Sequence, residues 1–247
     1  MSESSPFRRS LVEVAAIVGS ILLAFAIDAA WAEGRERAEA TEIVRGLEVE
    51  FQATRAELAR HRARWVEVRG ATERLIYATS VDIAPSPASM DTLLFHFLTP
   101  TTWDPQMGAL SATMASGQIG LIKSREVRNQ LAAWESVVAE VRDNELAMRD
   151  FILSTLTPFL AREGVSLARS RSLLLGVSTT EGASEPQWPG VLPSDAEVIG
   201  GYSDLVASPE FEALVGTRYG WINVEEYDDA LLFVDELLRL VASDLAG

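Results

Sequence analysis

Apolar positions divide this chain into one apolar stretch near the N-terminus followed by three long stripes of helical period. From Leu11 to Ile27 the only charged residue is Glu13, and Asp28 closes the run. Residues 11–31 would rise about 30 Å as a helix, which matches the hydrocarbon core of a bilayer. The pattern therefore predicts a tail over 1–10 and a transmembrane helix over 11–31, with Trp31 as an interfacial anchor. Beyond it, Ile43, Leu47, Phe51, Thr54, Leu58, His61, Trp65, Val68, Thr72 and Leu75 alternate spacings of four and three. Such a heptad-like seam, flanked by Glu, Arg and Gln, predicts a long helix over about 32–79.

The sequence Ile83-Ala-Pro85-Ser-Pro87 ends that helix, and a short one is expected from Ser89 to Leu98. Asp104-Pro105 reads as an N-cap followed by a first-turn proline, opening a helix through Met107, Leu110 and Met114, with Gly117 just past its end. Ser124 caps a second long helix over about 124–163, with a seam of Val127, Leu131, Trp134, Val138, Val141, Glu145, Met148, Ile152, Thr155 and Phe159. Pro158 is expected to kink or end it, and Gly164 closes the segment. Glycine and proline punctuate 164–207, which predicts an irregular segment with a short helix near Leu167–Leu175. Ser208-Pro209 then opens the last long helix, to about 245, with Leu214, Trp221, Val224, Leu231, Val234, Leu238, Val241 and Leu245 as its stripe.

Alternating patterns are short and scattered, so no strand-rich core is expected. Helices with one apolar stripe must bury it against one another. The fold class is therefore all-α: an N-terminal transmembrane helix continuing into a long-helix antiparallel bundle over 32–247, with short accessory helices.

Charge changes the picture in one respect. The chain of 247 residues carries 36 acidic and 21 basic side chains, a formal charge of -15. Lys123 is its one lysine, and it has no cysteine, which removes disulfides, thiolate metal sites and a Cys nucleophile. An acidic chain lacks the basic surface that nucleic acid requires, so no nucleic-acid partner is expected. From residue 195 onward there are 12 acidic and 2 basic residues, so most of the charge is local. Its densest part is Glu225, Glu226, Asp228 and Asp229, read as an acidic interaction surface on a solvated helix face.

Chemistry-bearing motifs are sparse. The two histidines, His61 and His96, have no second histidine at ligand spacing, so no metal site is expected. The carboxylate run lacks the glycine turn and alternating ligands of an EF-hand. No P-loop, G-x-G-x-x-G or G-x-S-x-G occurs, so neither catalytic residues nor a cofactor are assigned.

In the apolar stretch, Ala16, Ser20 and Ala24 are spaced by four, with Gly19 beside them. Small residues at this spacing let membrane helices approach closely, so Ala16, Gly19, Ser20 and Ala24 form the expected helix-packing face. A cleaved signal peptide is the rival reading, with Arg8 and Arg9 as its basic region and Ala30-Trp31-Ala32 as its cleavage site. A buried core helix is another. The helical pattern continues past Ala32, which favours an uncleaved anchor. Arg8 and Arg9 precede the span and Arg35, Arg37 and Arg45 follow it, so the positive-inside count does not decide the orientation. A tail this short is expected to stay in the cytoplasm, which would place the bundle on the periplasmic side of a bacterial inner membrane.

The segment Val18-Gly19-Ser20-Ile21-Leu22-Leu23-Ala24-Phe25-Ala26-Ile27-Asp28, with Trp31 and the Glu/Arg-rich helix after it, resembles an uncharacterised family of single-span bacterial membrane proteins. Asp104-Pro105, Ser116-Gly117-Gln118-Ile119-Gly120-Leu121-Ile122, Glu126 to Leu131 with Trp134, and Pro209-Glu210-Phe211 with Leu214 and Arg218 are similar to that family as well. The resemblance implies an anchor and a helical extramembrane domain, and no activity. The expected role is a structural or interaction protein, such as an accessory subunit of a membrane complex. Its expected partners are the bilayer and other subunits, or further copies of itself through the membrane helix. The alternative is a tethered sensor or ligand-binding bundle working through a separate partner, with His61 or the 164–207 segment as its trigger.

Overall fold

The computed structural model describes residues 6–100, 102–165 and 195–246. Among them the protein is all-α, with no strand. Helix α1 spans Pro6–Ser80, α2 Pro87–Phe97, α3 Gly108–Ala115 and α4 Arg125–Phe151. A π-helical turn at Ile152–Leu156 leads into α5, Thr157–Arg162. After 195 come α6 (Asp195–Val206), α7 (Pro209–Gly220) and α8 (Val224–Ala246). The expected short helix near Leu167–Leu175 lies outside the described residues.

The chain clusters into two compact units, one from residues 1–51, 107–131 and 237–247, the other from 52–106 and 132–236. In the first, Val44, Leu47, Phe51, Leu110, Ile122, Val127, Leu131, Leu237 and Val241 are buried together as the core. The expected cap at Asp104-Pro105 is not used. Helix α3 begins three residues later, at Gly108, and Met107 at its N-cap makes no side-chain bond. Instead Glu50 on α1 accepts hydrogen bonds from the backbone N–H of Ala109 (2.5 Å) and Leu110 (3.0 Å). The carboxylate satisfies two orphan donors and faces the positive end of the helix dipole. A cap can thus come from a distant carboxylate, which local sequence does not reveal. Gly117 follows α3 at φ 73°, the left-handed conformation expected of it.

In the second unit, three ion pairs fix the direction of α8 along α1: Arg55 with Asp235, Arg62 with Asp228, and Arg69 with Glu225. As the α1 number rises, the α8 number falls, so the helices are antiparallel. The stacked rings of Trp134 and Phe233, 5.7 Å apart, and the contact of Glu145 with Tyr227 show the same for α4 and α8. In this unit α1 and α4 therefore run the same way, and α8 runs against both. The long connection from 81 to 124 allows that crossover.

The expected helix over 208–245 is two helices. Gly220 ends α7, where Trp221 and Ile222 donate back to the carbonyls of Arg218 (3.2 Å) and Tyr219 (3.1 Å). Arg69 then takes the Ile222 carbonyl (3.3 Å). The break shifts the phase of the buried stripe: Phe211, Val215, Arg218 and Ile222 are followed by Val224, Tyr227, Ala230, Val234, Leu237 and Val241, while Trp221 is 46% exposed.

Pro158 does not end its helix. It lacks a backbone donor and crowds the carbonyl one turn back, and the π-turn just before it widens the backbone there. The Thr157 backbone N–H and hydroxyl both turn to the Ile152 carbonyl, the latter at 2.8 Å. The wider turn holds one extra residue, so the seam passes to Leu156 and Thr155 faces solvent. At the end of α5, Gly164 (φ 75°) and Val165 close a Schellman motif through bonds to Ala161 (3.3 Å) and Leu160 (3.0 Å). Helix α1 ends alike, except that Asp82 holds the left-handed position at φ 52°. Ile83 N–H reaches the Ala78 carbonyl at 3.2 Å. A side chain in that conformation carries strain that glycine lacks. Asp82→Gly is therefore expected to raise stability by up to about 1 kcal/mol, read as a higher urea midpoint at unchanged m. An equal or lower midpoint would contradict this. The Pro87 expected to help stop α1 instead sits at the first turn of α2, behind a Ser86 cap.

Candidate functional site

A polar cluster lies in the buried interior of the second unit, where three side chains and one backbone N–H meet. Trp65 on α1 donates from Nε1 to the Tyr227 hydroxyl on α8 at 2.9 Å. The Tyr227 hydroxyl donates to Oε1 of Glu145 on α4. The other carboxyl oxygen, Oε2, accepts from the Trp103 backbone N–H at 2.6 Å. Glu145 is 3% exposed, and Trp65, Tyr227 and Trp103 are buried as well. One carboxyl group therefore ties α4 both to α8 and to the connection leading out of α2.

Burial pushes the Glu145 pKa from its ordinary 4.5 up to about 7, despite the two donors that favour its ionised form. Burial, followed by the charge of Glu145, raises the Tyr227 hydroxyl well above its ordinary range, so it stays protonated as a donor. Glu145 also lines a cavity of about 210 Å³ with Trp103, Asp104, Arg142, Leu146 and Arg149. The arrangement can take up or release a proton near neutral pH, at a point where three segments of chain are tied together.

Arg218 on α7 lies beside this cluster. It is fully buried, with its guanidinium 5.3 Å from the centre of the Trp65 ring. Its nearest acceptors are the carbonyls of Phe97 (3.3 Å) and Thr99 (3.4 Å), which cap the end of α2, and its Nη1 has no partner. Burial lowers its pKa from 12.5 to about 9, so it remains charged at neutral pH. No carboxylate pairs with it among the described residues.

The acidic run expected to form a surface is distributed differently from residue to residue. Glu225 binds Arg69 through both carboxylate oxygens, at 2.9–3.2 Å, and this pairing holds its pKa below the ordinary value. Asp228 is bidentate with Arg62. Glu226 accepts from Asn144 and Asn223, and burial raises its pKa. Asp229 faces solvent. The basic partner of much of this run is thus α1 itself.

Of the expected membrane-packing residues, Gly19, Ser20 and Ala24 are exposed on α1, and a Cβ at Gly19 would meet nothing within 4 Å. The side chain of Ala16 lies outside the described residues. The helix carries a window apolar enough to cross a membrane near the N-terminus, with none of that window buried. His61 is half-buried on the α1 seam with Nδ1 unpartnered. Desolvation, then Arg64 and Arg60, lower its pKa. His96 lies 3.8 Å from Glu67. Among the described residues no three His, Asp or Glu side chains are grouped as a metal would require.

The sequence contained a signal for the polar cluster. Glu145 occupies a seam position of a heptad stripe, where a charged residue needs a partner. Tyr227 was hidden by its acidic neighbours. Arg218 was hidden because its acceptors are the backbone carbonyls of Phe97 and Thr99, which no side-chain pattern announces.

No family model matches the chain, and no curated protein or solved structure is significantly similar to it.

Proposed function

We propose that the chain is a membrane-anchored interaction protein, an accessory or scaffolding subunit held at a bacterial inner membrane by residues 11–31, with the helical part on the periplasmic side. The observation carrying this reading is a contrast in burial. Leu22, Leu23, Phe25 and Trp31 are 62–71% exposed, whereas the later apolar stripes of the same helix are buried. Water would not tolerate so long a bare apolar surface, and a bilayer covers it without protein contacts. The many arginines and glutamates paired within the helical part leave its role to shape and to apolar patches, and no reaction is assigned to it.

Introducing Asp at both Leu22 and Leu23 tests the anchor, since each charge near mid-span costs roughly 3 kcal/mol of insertion. The natural chain is expected to stay with membranes through an alkaline wash. The double variant is expected in the soluble fraction with its helical circular dichroism retained. Equal retention of both would refute the anchor. Because the chain has no cysteine, Ser80→Cys reports the side: labelling of intact cells by an impermeant maleimide is the periplasmic result. Recovery from mild detergent solely as a lone monomer would refute the subunit role.

A further inference from the structure

The cleft between the end of α1 and helix α2, in the second unit, has a volume of about 780 Å³. That volume falls in the range of roughly 300–1,000 Å³ typical of small-molecule sites. Its walls are mainly apolar: Tyr77, Val81 and Ile83 from the α1 end, Ala88 and Leu93 from α2. Tyr77 is 70% and Ile83 66% exposed, so these apolar surfaces face open space rather than packing inward.

The polar equipment of the cleft is narrow. The Ser89 hydroxyl is bonded to Ser86 (2.9 Å), and the Thr92 hydroxyl to the Ala88 carbonyl (3.0 Å). Arg74 lines the cleft and has no ion-pair or hydrogen-bond partner among the described residues. Its situation contrasts with Arg55, Arg62 and Arg69 on the same helix, each of which holds a carboxylate. The walls are also pre-formed. The Ile83-to-Ala78 bond fixes the exit of α1, and Ser86 caps α2.

One unpaired cation beside an otherwise apolar cleft matches a ligand with one anionic group and an apolar body. We propose that this cleft binds a single-chain amphiphile with an anionic head, its acyl chain lying along Val81, Ile83, Ala88 and Leu93 and its head on Arg74. A fatty-acid carboxylate and a phosphate-headed single-chain lipid share this chemistry. The cleft itself does not involve residues 11–31; only the nanodisc format and the 17–31 control rest on the membrane anchor, and loss of labelling at 17–31 alone would count against the anchor and not against the cleft.

The test uses the full chain in lipid nanodiscs, exposed to a palmitate analogue bearing a photoreactive diazirine on its chain, with labelled peptides mapped by mass spectrometry. Labelling is expected within 74–93, displaced by excess palmitate and about tenfold less well by hexadecanol, which lacks the charge. Shortening the competing acid should weaken it roughly three- to fourfold per methylene. Arg74→Ala should cut cleft labelling about tenfold and Arg74→Lys should restore most of it. Ala88→Trp fills the cleft and should abolish labelling there, while labelling of the apolar stretch 17–31 serves as an internal control and stays unchanged. Stronger displacement by lysophosphatidate than by palmitate would identify the phosphate-headed source, and the reverse the free acid; both support the site. Labelling confined to 17–31, equal displacement by acid and alcohol, or labelling unaffected by Arg74→Ala and Ala88→Trp would overturn it. So would a dimer that Ile83→Asp dissociates, since a second copy would then be the occupant.

Discussion

Trp134→Ala is expected to lower the stability of its unit by about 3–5 kcal/mol, the range for deleting a buried aromatic side chain. Trp134 is 1% exposed. Its ring lies against Trp103, edge to face at 5.9 Å, and stacks on Phe233 at 5.7 Å. The indole therefore joins α4 to α8 and to the connection after α2, and its loss leaves a void between three segments that do not collapse independently. Aromatic pairing adds to the simple area term. The thermal midpoint should fall on the order of 10 °C or more. Trp134→Phe retains a ring and should cost less than half as much. Chemical denaturation with the slope held fixed measures both. A loss under about 1 kcal/mol for the alanine variant would mean that this cluster is not cooperative with the rest of the unit.

The second large effect is a dependence on pH centred on Glu145. Its folded pKa, about 7, stands above the ordinary 4.5. Between these values the folded state holds a proton that the unfolded state has released, so stability falls as pH rises. The contribution is fully present below pH 4.5 and is lost as pH rises through about 7. At about 1.4 kcal/mol per tenfold change in proton affinity, the loss is roughly 3 kcal/mol. His61 acts in the opposite sense. Its folded pKa lies below 6.5, so its contribution is present above pH 6.5 and declines as pH falls. Comparing the natural chain with Glu145→Gln isolates the carboxyl. The amide should weaken the protein in acid, because its NH2 group opposes either the Trp103 N–H or the Tyr227 hydroxyl. The deficit relative to the natural chain should then shrink by roughly 3 kcal/mol between pH 4.5 and pH 8. Parallel stability profiles for the two proteins would show that Glu145 does not titrate in this window.

Much of the fold is legible in the sequence because it follows from period alone. The α1 seam from Leu47 to Leu75 is buried at every position except His61, which is half-buried. The caps at Ser124 and Ser208 are made as expected, by bonds to Val127 N–H (3.2 Å) and Phe211 N–H (3.3 Å). Departures arise where a distant group changes a local outcome. Glu50 caps α3 and makes Asp104-Pro105 irrelevant as a start. A π-turn absorbs Pro158 and moves the seam from Thr155 to Leu156. Arg69 supports the interruption after Gly220, which local glycine and asparagine signals only partly announce. The polar cluster was less legible still, because burying a carboxylic acid depends on which three elements converge on it. A single sequence records the charge of Glu145 but not the company it keeps.

Arg55, Arg62 and Arg69 stand seven residues apart, facing Asp235, Asp228 and Glu225. A ruler with evenly spaced marks can be read one mark off. Sliding α8 by one heptad would pair Arg62 with Asp235 and Arg69 with Asp228, and so recover two of the three contacts. The same slide would carry Tyr227 to the level of Thr72 and leave the Trp65 indole N–H facing Val234, without an acceptor. The arginine row gives the two helices their direction, and the buried tyrosine is the notch that allows a single alignment.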